Sequence, residues 1–323
     1  MSSRPAPDLR PVTYSLQPRP AVPAGFAPIA WHHLRTAVPI DWEPTAYSVE
    51  DRAGRIEFAT RLGLMATLGW EPCSIEPDRD TTMLAFLRHN VLKQSKHARD
   101  AYPQEKFHTA AVGLFQLGWA EDGGPCQAMA YSERERVVVR WVFEPSQMTQ
   151  PDWPRSLRPF LENFDFNDSP DGVDYQLYGL RAALPRAFRI EDMVTLPANV
   201  MLTLESDDDK RKVTFRRWGL PDMLLQGLTL GALHERVLRT NGSTVQSVRD
   251  GEVNGMRAAI SEFEAPREHH MDRFMGRRWP HGQAVIWHDT VGRRLYAFEQ
   301  VGPAKSPPLD FSSVFPGLTL TKA

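Results

Sequence analysis

Short apolar or alternating runs recur along the chain from Trp31 onward, and they predict β-strands joined by turns. The runs cover residues 54–59, 62–70, 108–121, 127–131 and 137–144 in the first half, and 176–185, 199–205, 212–219, 255–265, 282–289 and 293–302 in the second. Turn residues separate many of these runs, which is typical of hairpins. We therefore expect antiparallel strands connected by short turns in both halves of the chain.

Two longer segments are predicted to be helices, and in the first the apolar residues recur at helical spacing. Residues 81–102 begin with threonine and become basic towards their end, as helix polarity favours. The apolar positions in that segment are Met83, Phe86, Leu87, Val91 and Leu92. Residues 221–242 begin with a proline and end in Asn241-Gly242, which are start and stop signals. Each half is thus predicted to contain one long amphipathic helix.

The two halves resemble each other, which predicts an internal duplication. VPIDW at 38–42 and LPRAF at 184–188 open the halves, and strands, one helix and further strands follow in both. The closing hairpins read QAMAY then WVFE, and QAVIW then YAFE. Their identical pairs are Gln127/Gln283, Ala128/Ala284, Phe143/Phe298 and Glu144/Glu299.

These patterns predict an α+β fold of two related units, each a mostly antiparallel β-sheet packed by a long α-helix. Residues 1–30 hold seven of the 27 prolines and suit a mobile tail. The predicted divisions are the tail at 1–30, a first unit at 31–145, a connector at 146–183, a second unit at 184–302 and a C-terminal arm at 303–323. The arm carries several apolar residues, so we expect it to pack on its own domain or to insert into a partner.

The order of strands and helix, with the P-x-x-W opening at residues 39–42, resembles the Mog1/PsbP-like α/β/α sandwich. This family comprises small binding and assembly-factor domains. The resemblance covers residues 38–145 and 184–302, and it implies a sheet packed by a helix and a binding or assembly role. The chain matches no site motif of the family, so the resemblance assigns no functional residue.

Charge and composition exclude several classes of function. The 323 residues include 38 Lys plus Arg and 40 Asp plus Glu, a formal net charge of −2. Binding nucleic acid or an anionic membrane over the whole surface needs a basic excess, so we expect neither. No apolar run is long enough for a transmembrane helix, and the N-terminal segment lacks the apolar core of a signal peptide. With only two cysteines, we expect a soluble cytoplasmic protein of bacterial type with reduced thiols.

The common sequence signatures of nucleotide-binding loops, serine hydrolases and zinc proteases are absent, so no catalytic residue and no cofactor are assigned. One candidate metal site comprises His269, His270, His281 and His288. Imidazole suits zinc, iron or nickel. The spacing of these histidines does not force them together, however, and a solvated loop accounts for them equally well.

A second candidate is an anion-binding face formed by Arg277, Arg278, Arg293 and Arg294. Tryptophans lie near both pairs in sequence, and guanidinium groups beside aromatic rings can bind anions or nucleic acid. The alternative is that arginines at exposed strand positions protect a sheet edge from mispairing.

The duplication, the missing catalytic signatures and the two tails favour a non-enzymatic protein that binds another protein, as an adaptor or assembly factor. Association into a homo-oligomer is left open. The first alternative is a metal-dependent or hydrolytic enzyme that uses the histidines of the second unit. The second is an anion or nucleic-acid binder that uses the arginine pairs.

Overall fold

The protein is mostly β-sheet. A computed structural model describes residues 22–31, 34–50, 53–75, 78, 104–109, 113–119, 125–144, 153–166, 173–177, 180–185, 187–196, 198–266, 281–302, 309 and 318–319. Strands make up 64% of it and helices 12%, in three antiparallel sheets and three short helices. Most of the predicted Pro-rich tail and the helix predicted at 81–102 lie outside the described residues.

The described elements are short and mostly extended. The strands are β1 (Phe26–Trp31), β2 (Leu34–Pro39), β3 (Glu43–Glu50), β4 (Ala53–Thr60), β5 (Gly63–Pro72), β6 (Gln104–Thr109), β7 (Gly113–Trp119), β8 (Cys126–Ser132), β9 (Val137–Phe143), β10 (Asp165–Phe166), β11 (Val173–Leu177), β12 (Leu180–Leu184), β13 (Phe188–Leu196), β14 (Asn199–Ser206), β15 (Lys212–Trp218), β16 (Thr244–Val253), β17 (Met256–Glu264), β18 (His281–Asp289), β19 (Arg294–Gly302) and β20 (Leu318–Thr319). The helices are α1 (Trp153–Glu162), α2 (Pro221–Leu225) and α3 (Leu230–Thr240).

The two large sheets share one strand order. The first is β3-β4-β5-β9-β8-β7-β6, and the second is β13-β14-β15-β19-β18-β17-β16 with β20 added outside β16. In both, three consecutive strands form one meander, the next four form a second, and the last strand of the second meander pairs with the last strand of the first. In the smaller third sheet, β10, β2 and β1 are neighbours. The chain divides into two compact units, built mainly of residues 18–168 and 180–323, and each contains one large sheet.

The hairpin identities that suggested the repeat do not occupy equivalent positions. In the first unit, Gln127 pairs across the strands with Val142, and directly paired residues share a face. Phe143 follows Val142 in the strand, so Gln127 and Phe143 point to opposite faces of the sheet. In the second unit, the supposedly matching Gln283 and Phe298 point to the same face. The glutamine and the phenylalanine share a face in one unit and lie on opposite faces in the other. The pairs Gln127/Gln283 and Phe143/Phe298 therefore cannot both mark equivalent positions, since a shift of one residue moves a side chain to the other face. The shared strand order is therefore the observation that supports the predicted duplication.

The prediction of a long helix packed on each sheet, and with it the α+β fold class, is wrong. The helix predicted at 221–242 is divided into α2 and α3. Gln226 and Gly227 have φ of 43° and 82°, a left-handed backbone that ends α2. Thr229 then caps α3, its hydroxyl accepting a hydrogen bond from the backbone N–H of Ala232 at 3.1 Å. The α/β sandwich architecture expected from the resemblance is likewise not borne out by the described residues.

In the first unit, α1 packs its apolar side against aromatic residues of the unit. Leu157, Phe160 and Leu161 are buried and lie at the i, i+3, i+4 spacing of one helix face. The rings around Phe160 are those of Phe26, Trp42, Trp141 and Phe143, with centroids 5.3, 5.2, 6.0 and 5.2 Å away. The segment at 146–183, predicted as a connector, therefore supplies a helix that contributes to this core.

In the second unit, α3 covers part of one face of the eight-stranded sheet. Leu233 of α3 packs with Ala259, Ile286, Leu295 and Ala297, and Leu238 packs with Phe263, Ala265 and Ala284. The opposite face carries buried aromatic pairs. These are Phe215 with Phe298, whose ring centroids are 5.0 Å apart, and Trp287 with Tyr296, stacked at 5.5 Å. Burial on both faces explains why the central strands of this sheet contain nearly continuous apolar runs.

Two points of the predicted C-terminal arm are described, and both contact the second unit. The backbone N–H of Leu309 donates to Oε1 of Gln300 at 2.7 Å, and Nε2 of Gln300 donates to the carbonyl of Leu309 at 2.8 Å. Leu318 and Thr319 form β20, which pairs with the end of β16. At these points the arm packs on its own unit.

Candidate functional site

The structure does not bring the candidate metal histidines together where it describes them. His281 is the first residue of β18 and His288 the eighth, so at a rise of about 3.3 Å per residue they lie roughly 23 Å apart along one strand. His269 and His270 lie outside the described residues. Within the described ranges, no group of three or more His, Cys, Asp or Glu side chains is placed to hold a metal ion.

The candidate anion-binding arginines contact neighbouring groups of the second unit. Nη2 of Arg293 lies 3.2 Å from Oδ2 of Asp222, with both side chains largely exposed. Nη1 of Arg294 donates to the carbonyl of Arg293 at 3.0 Å. Arg277 and Arg278 lie outside the described residues. Arg293 therefore lies in the connection between β18 and β19 and pairs with α2, whereas Arg294 begins β19.

A buried cluster of polar side chains lies beneath α3. His234 of α3 is completely buried, and its Nδ1 lies 3.0 Å from the hydroxyl of Ser261 on β17. Arg216 of β15 and Glu299 of β19 form an ion pair at 3.5 Å, too long for a good hydrogen bond. Among the described residues, His234 Nε2, Arg216 Nε and Glu299 Oε1 are buried atoms without a hydrogen-bond partner. Because buried polar atoms are normally satisfied, this cluster is an unusual feature of the fold.

Burial determines the protonation of this cluster. Burial, and secondarily the neighbouring Arg216 cation, lowers the pKa of His234 to about 4. Burial raises the pKa of Glu299, and Arg216 opposes that effect. The imidazole is therefore neutral at neutral pH. A Ser–His contact of this kind resembles half of a nucleophilic dyad, but both side chains are fully buried, so a substrate cannot reach them in this conformation.

Four exposed apolar side chains lie at one end of the eight-stranded sheet, and we call them the end surface. They are Leu196, Leu220, Met223 and Val291, which are 56%, 59%, 62% and 94% exposed. They come from the last residue of β13, beside the turn to β14, from the segment that follows β15, and from the turn between β18 and β19. Strand pairing places these three connections at the same end of the sheet. Gly219 N–H donates to the carbonyl of Ala198 at 2.7 Å, and the Arg293–Asp222 ion pair links α2 to the third connection.

The backbone of the end surface is strained. Leu220 has φ 54° and ψ 51°, a left-handed conformation that costs a non-glycine residue about 1–2 kcal/mol. It also precedes Pro221, which favours an extended backbone in the residue before it. Ala198 and Arg293, in the two neighbouring connections, likewise have positive φ, at 61° and 50°. Core packing does not explain the leucine, because most of its side chain is exposed.

Sequence reasoning missed both the end surface and the buried polar cluster. A leucine before a proline at the end of a strand is a weak signal, and the predicted helix began one residue after Leu220, at Pro221. The polar cluster has no sequence signal, since its members come from β15, α3, β17 and β19. Only the pairing of the strands and the position of α3 bring them together.

Comparisons with known proteins identify no relatives by sequence. No protein-family model matches the chain, and no curated protein matches it significantly. Among solved structures, the chain is similar to intact Ap-TbpB (N and C lobes) at 6% identity, covering 87% of this chain and 68% of that one, with a TM-score of 0.13. A likeness at this level carries no argument about fold or function. None of the three described helices is long and apolar enough to cross a membrane.

Proposed function

We propose that this chain is a non-enzymatic protein-binding protein, an adaptor or assembly factor built from two related sheet units, and that the end surface contacts its partner. The observation that carries the proposal is Leu220, an exposed leucine held in a strained backbone conformation. Strain at an exposed position that contributes little to the core is a reason to look for function there.

The composition of the end surface also supports a protein partner. Its members are aliphatic or thioether side chains, and methionine adapts its shape to apolar contacts. Exposed apolar patches mark interaction sites, and Leu220 and Met223 lie three residues apart on one short segment of the end surface. The charged side chains beside them include both Asp222 and Arg293, so the rim has no strong preference for one sign of charge. We therefore expect a protein segment with several apolar side chains rather than an anionic ligand.

The shared strand order of the two large sheets supports the proposed duplication. The first unit has exposed apolar residues as well, among them Leu62 in the turn between β4 and β5. In the second unit, the equivalent turn between β14 and β15 carries Asp207 and Asp208, which are charged. The two units thus differ in their exposed surfaces while sharing a strand order, so we place the partner contact on the second unit alone.

The test is recovery of a stoichiometric partner from the native cell at physiological salt, using the full chain and a double variant, Leu220→Gly with Met223→Ser. Burying the exposed 59% of a leucine is worth about 1–2 kcal/mol, so removing that side chain should weaken binding by roughly tenfold. Relief of the left-handed strain at Leu220 offsets the backbone entropy cost of glycine, so the variant should fold with nearly unchanged stability.

The matched control is Leu62→Ser, which removes a leucine of the first unit that is even more exposed, at 81%. It should leave partner recovery unchanged. The proposal is overturned if the chain is monomeric and recovers no stoichiometric partner, or if the double variant recovers the partner as well as the unchanged chain does.

A further inference from the structure

The contact between α3 and the eight-stranded sheet depends on an uncharged histidine. His234 occupies the buried side of α3 beside Leu233 and Leu238, and it is completely buried. Its single hydrogen bond, to Ser261, uses Nδ1. Among the described residues, Nε2 of His234 has no hydrogen-bond partner, so an N–H at this atom would find no acceptor. A protonated ring would therefore place a buried N–H without a partner in the interface.

The charged groups that face His234 do not compensate a positive ring. Arg216 of β15 lies close enough to disfavour the imidazolium by repulsion. Glu299 of β19 is the nearest carboxylate to Arg216, and the two are already paired at 3.5 Å. The remaining titratable or charged residues on this face of β15, β16, β17 and β18, by strand alternation, are Lys212, Asp250, Glu252, Arg257 and His288. Asp250, Glu252 and Arg257 are exposed to solvent, and Lys212 and His288 are partly so.

Leu233, His234 and Leu238 are the fully buried residues of α3, and Leu230 and Val237 are partly buried beside them, so we expect this interface to open locally before the sheet does. Two leucines, Leu233 and Leu238, are the buried apolar residues of the helix. The helix has 11 residues, which is too short to be stable in water by itself. Regions with few buried contacts open locally at a lower free energy than the sheet they cover. His234 is the third buried residue of α3. Protonation of its ring would therefore displace the helix before it unfolds the sheet.

We propose that α3 is a pH-sensitive latch, in which protonation of His234 releases the helix from the eight-stranded sheet. Neutral His234 packs under the helix and accepts or donates one hydrogen bond with Ser261. Protonated His234 turns outward to solvent, and α3 leaves with it. Because Leu220 and Met223 lie on the same 219–243 segment, acid would also displace part of the end surface. That consequence for partner binding rests on the proposed function, whereas the latch itself does not.

The direction and size of the effect follow from linkage. The pKa of His234 in the folded state is about 4, below the ordinary value of 6.5, so the open state binds the proton more tightly. The stability of the closed latch is fully present above pH 6.5 and is lost as the pH falls towards 4. At pH 5, the equilibrium for opening is raised about 30-fold relative to pH 8. Glu299 acts in the opposite sense, since its raised pKa favours the closed state as the pH falls.

The experiment is hydrogen exchange of the full chain between pH 8 and pH 5, corrected for the intrinsic pH dependence of exchange. A His234→Gln variant removes the titrating group and keeps an amide that can bond Ser261. The ratio of α3 opening at pH 5 to opening at pH 8 should be about 30-fold greater in the unchanged chain than in this variant. His288→Gln, on the half-exposed histidine of β18, is the control and should behave as the unchanged chain.

Three results would overturn the latch. One is equal pH dependence of α3 protection in the unchanged chain and in His234→Gln. Another is loss of protection across β17 and β18 together with α3, which would indicate unfolding of the sheet rather than release of the helix. If the glutamine variant does not fold, the titration of His234 followed by NMR in the unchanged chain decides instead. Half-protonation below pH 6.5 that coincides with loss of α3 contacts supports the latch, whereas protonation of the ring with α3 still closed contradicts it.

Discussion

Gly282 lies directly opposite the ring of Phe263 in the eight-stranded sheet, and we expect Gly282→Ala to destabilise the second unit. A Cβ at this position would lie 2.8 Å from Cε1 of the phenylalanine and closer still to Cε2 and Cζ. The ring would have to withdraw until each of these distances reached about 3.4 Å, the start of ordinary contact. Phe263 is buried among Leu238, Ala265 and Ala284, so it has no free space to enter.

Overpacking of this kind costs about 1–3 kcal/mol, and we expect the upper part of that range because the ring is buried. The assay is urea unfolding followed by circular dichroism, with the free energy of unfolding compared between variants. Gly69→Ala on β5 is the matched control, since its added Cβ would meet only the carbonyl of Gly54 at 3.8 Å. The control should be neutral or slightly stabilising, because alanine loses less backbone entropy than glycine. A Gly282→Ala variant within about 0.5 kcal/mol of the unchanged chain would refute this account of the Gly–Phe pair.

Two further predictions concern the start of α3 and the anchoring of the C-terminal arm. Thr229→Ala removes the cap of α3 and should lower the free energy of unfolding by about 1 kcal/mol, measured by the same urea assay; Thr229→Ser should restore it. Gln300→Leu removes both hydrogen bonds to Leu309, worth about 1 kcal/mol each, so release of the arm should rise by roughly 10- to 30-fold. Limited proteolysis within residues 303–323 measures that release, and an unchanged cleavage rate would show that Gln300 does not anchor the arm.

Much of the strand content could be predicted from the sequence, because buried strands carry a clear apolar pattern. The runs predicted at 54–59, 137–144 and 282–289 correspond to β4, β9 and β18 within a residue or two. By contrast, β16 was not predicted. Seven of its ten residues are exposed, since it lies near the edge of the sheet, so no apolar alternation marks it. Edge strands commonly carry charged residues that hide this pattern.

The helices show where local pattern was insufficient. The signals at Pro221 and Asn241-Gly242 predicted one helix over 221–242, although Gly227 and Thr229 carried further stop and start signals within it. Spacing records which side chains can share a face, whereas the backbone conformation at single residues decides where a helix ends. The predicted repeat shows the same limitation. Residue types matched between the two closing hairpins, but the matched residues do not lie on corresponding faces of the two sheets.

By itself, the sequence determined the alternating strands, the balance of charge and the lack of a common catalytic signature, because each depends on residues near one another in the chain. The tertiary structure alone decided that the two large sheets share a strand order, that His234, Ser261, Arg216 and Glu299 meet under α3, and that four exposed apolar side chains gather at one end of a sheet. Those features depend on strand register and on the packing of α3. Both arise from contacts between residues far apart in sequence, which no local pattern records.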